Sequence, residues 1–184
     1  VEELIPYIHW TFFFSAWKLP GRYAEIAQIH GCDSCRAMWL AGFPENERAK
    51  AAEAMQLYKD ATRLLERLVA EKVACCKAIY GFFPAHSEGD TIRIGDYLLP
   101  TLRQQVQRPE AVYKSLADFV MPAEEQRKDY LGAFVVTAGI GLEPWMEQYQ
   151  AEGDTYNAML LQTLSDRLAE ALAEYLHERV RKDC

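Results

Sequence analysis

From Ala51 onward, apolar residues return at steps of three and four: Met55, Tyr58, Ala61, Leu65, Leu68 and Val69, with charged residues between them. A stripe of that period lies on one face of a helix and has to be covered by other apolar surface. The spacing predicts a long helix starting at Asn46 or Glu47. A second stripe, Tyr156, Leu160, Leu164, Leu168, Ala171, Leu172, Tyr175 and Leu176, predicts another after Gly153-Asp154, with Asp154 as N-cap. The chain has the material to cover both, since half of its 184 residues are apolar and 12% are aromatic. A chain of this length buries roughly 70% of its unfolded surface without staples. Residues 1–184 are read as a single domain.

Between the two stripes the period changes. Ala78-Ile79-Tyr80-Gly81-Phe82-Phe83, ended by Pro84, and Thr91-Ile92-Arg93-Ile94, after the turn Glu88-Gly89-Asp90, predict a β-hairpin. Tyr130 to Thr137 is almost continuously apolar and predicts a central strand covered on both faces. Ala111 to Val120 mixes apolar and polar residues and ends at Met121-Pro122. A shorter helix is expected from about Glu143 to Ala151. The aromatic opening, Leu4 to Leu19, reads as chain wrapped over the core, closed by a turn at Pro20-Gly21. Helices flanking a group of strands give an α+β class.

Charge and composition exclude several functions. A net charge of −7 with mixed signs lacks the clustered Lys and Arg that phosphate backbones require, so nucleic acid is not an expected partner. No apolar run approaches the roughly 20 residues of a membrane span. The acidic start, Val1-Glu2-Glu3-Leu4, shows neither an initiator Met nor a signal-peptide pattern, and it reads as a piece of a longer polypeptide. Five Cys, an odd number, point to free thiols in a reducing, cytoplasmic setting.

Local motifs offer little chemistry. Cys32-Asp33-Ser34-Cys35 has the spacing of zinc knuckles and of thioredoxin-like sites. His30 supplies a third metal donor, but no fourth is evident, and neither is a strand before the motif nor a helix N-terminus at the first Cys. The expectation is two free thiols and no metal. Gly139-Ile140-Gly141 lacks the third glycine of a dinucleotide-binding turn, because Pro144 stands there, so a simple loop is expected. His9, His30, His86 and His177 form no helical metal pair, and no GxSxG turn presents a serine. Glu170, Glu174 and Glu178 stand four apart on one face of the last helix, with Arg167, Arg179 and Arg181 near enough to relieve part of the repulsion. Such a row is a solvated face or holds a carboxylate ready for a cationic ligand.

Six strings together resemble one known family. They are Leu4-Ile5-Pro6-Tyr7-Ile8-His9-Trp10-Thr11 with Phe12-Phe13; Gly81-Phe82-Phe83-Pro84-Ala85; Leu102-Arg103-Gln104-Gln105; Leu116-Ala117-Asp118-Phe119-Val120; Asp129-Tyr130-Leu131-Gly132-Ala133-Phe134; and Asp166-Arg167-Leu168-Ala169-Glu170-Ala171, running on to Tyr175-Leu176-His177-Glu178-Arg179-Val180-Arg181. In this order they resemble the C-terminal activation domain of cobalamin-dependent methionine synthase. The resemblance implies an α+β fold, a twisted antiparallel sheet with peripheral helices in a C-shaped body. It also implies a methyltransferase module that binds S-adenosylmethionine and caps cobalamin held by a neighbouring domain of the same enzyme. There it would support reductive methylation of cob(II)alamin with electrons from flavodoxin or a flavodoxin-like reductase. Glu170 falls on the family's acidic residue near the ligand. His9 falls where many relatives carry an Asp, and its neutral ring accepts a hydrogen bond without supplying the charge. The family's Arg-Pro-x-x-Gly-Tyr-Pro string is not within the sequence, so this chain by itself is expected to bind the ligand weakly and to be inactive. An alternative is a docking module for a corrinoid protein or reductase that does not bind S-adenosylmethionine.

Overall fold

A computed structural model describes residues 1–106, 112–125 and 127–184. The aromatic opening wraps over the core as expected, but in helical turns: a 3-10 helix, Glu2–Tyr7, then α1, Trp10–Ala16. Burial explains the helicity, because main-chain N–H and C=O groups taken out of water need partners and a helix supplies them locally. Phe13 and Phe14 are fully buried, each stabilising the fold by roughly 1.5–3 kcal/mol. A second 3-10 helix, Gly21–Gln28, leads to α2, Asp33–Ala41, and then to α3, Glu45–Glu71. On α3 the residues buried at helical spacing are Ala51, Ala54, Leu57, Ala61, Leu64, Leu65 and Leu68.

Four strands follow the change of period: β1 (Cys75–Glu88), β2 (Thr91–Ile94), β3 (Tyr97–Pro100) and β4 (Asp129–Ile140). They form an antiparallel sheet in the order β3-β2-β1-β4. The expected hairpin is present, with Glu88 opposite Thr91 and Ala85 opposite Ile94. Gly89 takes its turn at φ +59°, a conformation glycine adopts without penalty. Pro84 does not end β1, because the paired register with β2 begins only at Ala85 and asks no N–H of the proline. β4 corrects the expectation of a central, doubly covered strand. It stands at the end of the strand order, and Tyr130, Phe134 and Val135 are exposed. A continuous apolar run reports fitness for extended backbone and does not by itself report burial on both faces. Of the stretch Ala111 to Val120, Ala111 lies outside the described residues; Leu116–Phe119 is a 3-10 helix opened by a Ser115–Asp118 capping box. The last elements are α4, Glu143–Ala151, and α5, Thr155–Asp183, whose N-cap Asp154 accepts from the Asn157 N–H at 3.0 Å.

The chain divides into two compact units, Val1–Ala78 with Val136–Cys184, and Ile79–Val135. In the first, Leu160, Leu161, Leu164, Leu168 and Ala171 of α5 join the core with α3 and the aromatic opening. Tyr156 donates to Asp60 at 2.9 Å, and Arg67 lies over the Trp145 ring at 4.5 Å. At the other end of α5, Tyr175 donates to Glu3 at 3.0 Å and Tyr7 donates to Glu178. Gly141, at φ +93°, admits no side chain, since a Cβ would stand 2.4 Å from the Val73 carbonyl oxygen. Of the loop expected at Gly139-Ile140-Gly141, the first two residues instead end β4, and Gly141 alone stands in the tight turn that leads to α4. The second unit has a small core of Ala85, Ile92, Ala117 and Val120. Among the described residues, no helix is long and apolar enough to cross a membrane.

Candidate ligand-binding site

The first strong sequence match, Ile5-Pro6 through Trp10-Thr11, builds one wall of a cleft of about 630 Å³. His9 stands on that wall as the N-cap of α1, exposed, with its ring edge-on to Phe12 at 6.0 Å. Across the cleft α3 presents Tyr58, Thr62 and Glu66. Trp10 packs edge-on to Tyr58 at 4.7 Å, which fixes the aromatic floor. The cleft thus combines aromatic surface, the imidazole of His9 and one carboxylate, Glu66. Tyr58 and Glu66 escaped the sequence reading for opposite reasons: Tyr58 sits in the apolar stripe, and Glu66 looks like any solvated charge beside it.

Glu170 is not among the residues lining this cleft. It lies exposed on α5, and no ion pair engages it among the described residues. The row of three glutamates separates into distinct roles. Glu178 accepts from Lys182 and from Tyr7; these partners hold its carboxyl below the usual range, while the tyrosine hydroxyl is pushed up in return. Glu170 and Glu174 remain exposed to solvent. One turn before Glu170, the Arg167 Nε is buried with no acceptor among the described residues. Exposed carboxylates of this kind favour cationic groups, and a guanidinium favours anionic ones.

A second cleft, of about 380 Å³, lies along α4 and α5 and is lined by Leu142, Met146, Leu161, Ser165 and the carboxylates of Glu143 and Glu147. Glu143 accepts from the Gly141 N–H at 2.9 Å, so one of the two acids is tied to the turn.

The Cys32-Cys35 motif departs from the sequence reading. Cys32 is the N-cap of α2, and its sulfur accepts from the Cys35 N–H at 3.4 Å. A helix N-terminus does stand at the first Cys. It was not legible because α2 carries no fully buried residue and hence no clean apolar stripe. Hydrogen bonds from Ser34, Cys35 and His30 bring the Cys32 thiol down to about 6, and Cys35 is raised by its neighbour's sulfur.

The chain is thus an α+β protein with an aromatic-lined cleft beside His9, an acid-lined cleft along α4 and α5, and exposed acids on α5. Its sequence matches, over residues 1–184, the family described as vitamin B12 dependent methionine synthase, activation domain. The chain belongs to this family, whose members form part of a methyltransferase. It is also similar to a crystal structure of the MetH reactivation domain bound to AdoHcy, at 38% identity and a TM-score of 0.78. That similarity covers 98% of this chain and 53% of the other, so the chain spans about half the length of that relative.

Proposed function

We propose that this chain supplies part of the S-adenosylmethionine-binding surface with which a cobalamin-dependent methionine synthase restores its oxidised cofactor. One observation carries the reading: nearly the whole chain is like a domain solved with AdoHcy, which is S-adenosylmethionine without its methyl group. Cobalamin, which a neighbouring domain of the parent enzyme would hold, would supply the methyl acceptor once reduced from cob(II)alamin by an electron from flavodoxin or a similar reductase. Transfer would break the methyl C–S bond of the sulfonium with its electron pair left on sulfur, so that AdoHcy leaves, while the reduced cofactor would supply both electrons of the new bond to the methyl carbon. Glu170 meets the positive charge of the methyl donor, and His9, in its neutral form, accepts a hydrogen bond from it.

The test is reductive methylation in the parent enzyme, followed by the disappearance of cob(II)alamin absorbance with reduced flavodoxin and S-adenosylmethionine supplied. Glu170→Gln removes the charge and keeps the shape. It is expected to raise the S-adenosylmethionine concentration for half-maximal rate about tenfold or more, the worth of one charge-assisted hydrogen bond. An unchanged dependence would overturn the role of Glu170. A cob(II)alamin signal indifferent to S-adenosylmethionine would overturn the reading as a whole.

A further inference from the structure

We propose that His30, Cys32 and Cys35 form a binding site for one thiophilic divalent cation, of which zinc is the reference case, with the fourth coordination position open. A ligand atom from each of the three lies within 4.8 Å of the other two. Tetrahedral zinc with sulfur at about 2.3 Å and nitrogen at about 2.0 Å sets its ligands roughly 3.5–3.8 Å apart, so no side of the triangle has to close by more than ~1.3 Å. The side chains are free to make that adjustment, His30 being exposed and both Cys half-buried.

The scaffold beneath the triangle is fixed. Trp39 of α2 packs edge-on to Phe43 at 4.8 Å and to Tyr23, which is fully buried, at 6.3 Å. The C-terminal half of α2 is therefore held against the core, and the helix presents Cys32 and Cys35 at its other end, next to the loop that carries His30. The Cys32 N–H points at His30 Nδ1, 3.3 Å away, so the ring is already turned toward the motif. The Ser34 hydroxyl lies 3.2 Å from the Cys32 sulfur, an outer hydrogen bond of the kind that orients a thiolate ligand. Among the described residues no fourth His, Cys, Asp or Glu joins the group. Three protein ligands and one open position mark exchangeable sites, whereas closed structural zinc has four. Water or a small thiol fits the open position. Cys75 and Cys76 are neighbours on β1 and belong to no such group.

The experiment is competition between the fully reduced chain and a chromophoric chelator for zinc, with cobalt(II) substitution to report thiolate ligation by its charge-transfer absorption. One equivalent is expected, with a thiolate-to-cobalt band. Cys32→Ser and Cys35→Ser should each weaken binding about 100-fold or more, His30→Gln should weaken it measurably, and Cys75→Ser should leave it unchanged. The substituted side chains lie outside the buried core, and the stoichiometry of the unaltered chain stands without any variant. A reduced chain that does not compete with the chelator overturns the proposal, even if Cys32 and Cys35 readily form a disulfide. Binding that survives in both serine variants, or that follows Cys75, overturns it too.

Discussion

Arg103 shows how one side chain organises a loop region. Its guanidinium donates to both carboxylate oxygens of Asp118 at 2.7 Å, and also to Asp90 and to the Tyr113 carbonyl. The Arg103 hydrogen bond, aided by the Ser115 N–H, brings the Asp118 carboxyl down to about 2. Glu88 is likewise brought to about 2, first by Arg93 and then by His86. A carboxyl whose folded value lies below its unfolded value of about 4 contributes stability that is complete above that pH and is lost as pH falls through the folded value. Urea midpoints measured by circular dichroism should therefore hold steady down to about pH 4 and decline from there toward pH 2, and Arg103→Ala should shrink that decline. A decline of the same size in the Arg103→Ala chain would contradict the assignment. None of this was legible in the sequence. Asp90 and Asp118 stand 13 and 15 residues from Arg103, and Tyr7 meets Glu178 across 171 residues, separations that no local spacing rule connects.

At the scale of elements, the long helices were legible because their stripes are long. α4 occupies the expected span Glu143–Ala151, and α5 starts at the expected cap. α5 also allows burial and surface charge to be compared on one helix. Leu168 is fully buried, so Leu168→Ala should cost about 2–5 kcal/mol of unfolding free energy. Glu174 is exposed beside like charges, so Glu174→Gln should change it by no more than ~0.5 kcal/mol, toward greater stability. Denaturant titration reads both, and a Leu168→Ala loss of less than ~0.5 kcal/mol would refute the packing described for α5. The short elements were not legible. β3 is four residues, Tyr97–Pro100, too few for alternation to register, and it is exposed throughout. α2 buries none of its residues fully, and with its helix the cap at Cys32 was missed too. β1 was read as ending at Pro84, because a proline breaks a ladder only where its N–H would have been used, and sequence does not show where pairing begins.

For the whole molecule, fold class and family were legible in strings spread along the chain, and the structure accords with both in its antiparallel sheet and flanking helices. The site was less so. The sequence pointed to His9 and Glu170 separately; the structure sets His9 in a cleft with Trp10, Tyr58 and Glu66, while Glu170 is exposed on α5 and is not among the residues lining that cleft. The second unit exposes Ile79, Phe82 and Phe83 of β1 and Tyr97, Leu98 and Leu99 of β3. The central claim, that Glu170 belongs to a binding surface for S-adenosylmethionine, is tested most directly by calorimetric titration. The ligand is titrated into this chain and into a longer polypeptide continuing through an Arg-Pro-x-x-Gly-Tyr-Pro string, each with and without Glu170→Gln. The account predicts tighter binding by the longer polypeptide and a loss of about tenfold or more on substitution. No heat of binding in the longer polypeptide, or a Glu170→Gln titration that overlays the unaltered one, would contradict it.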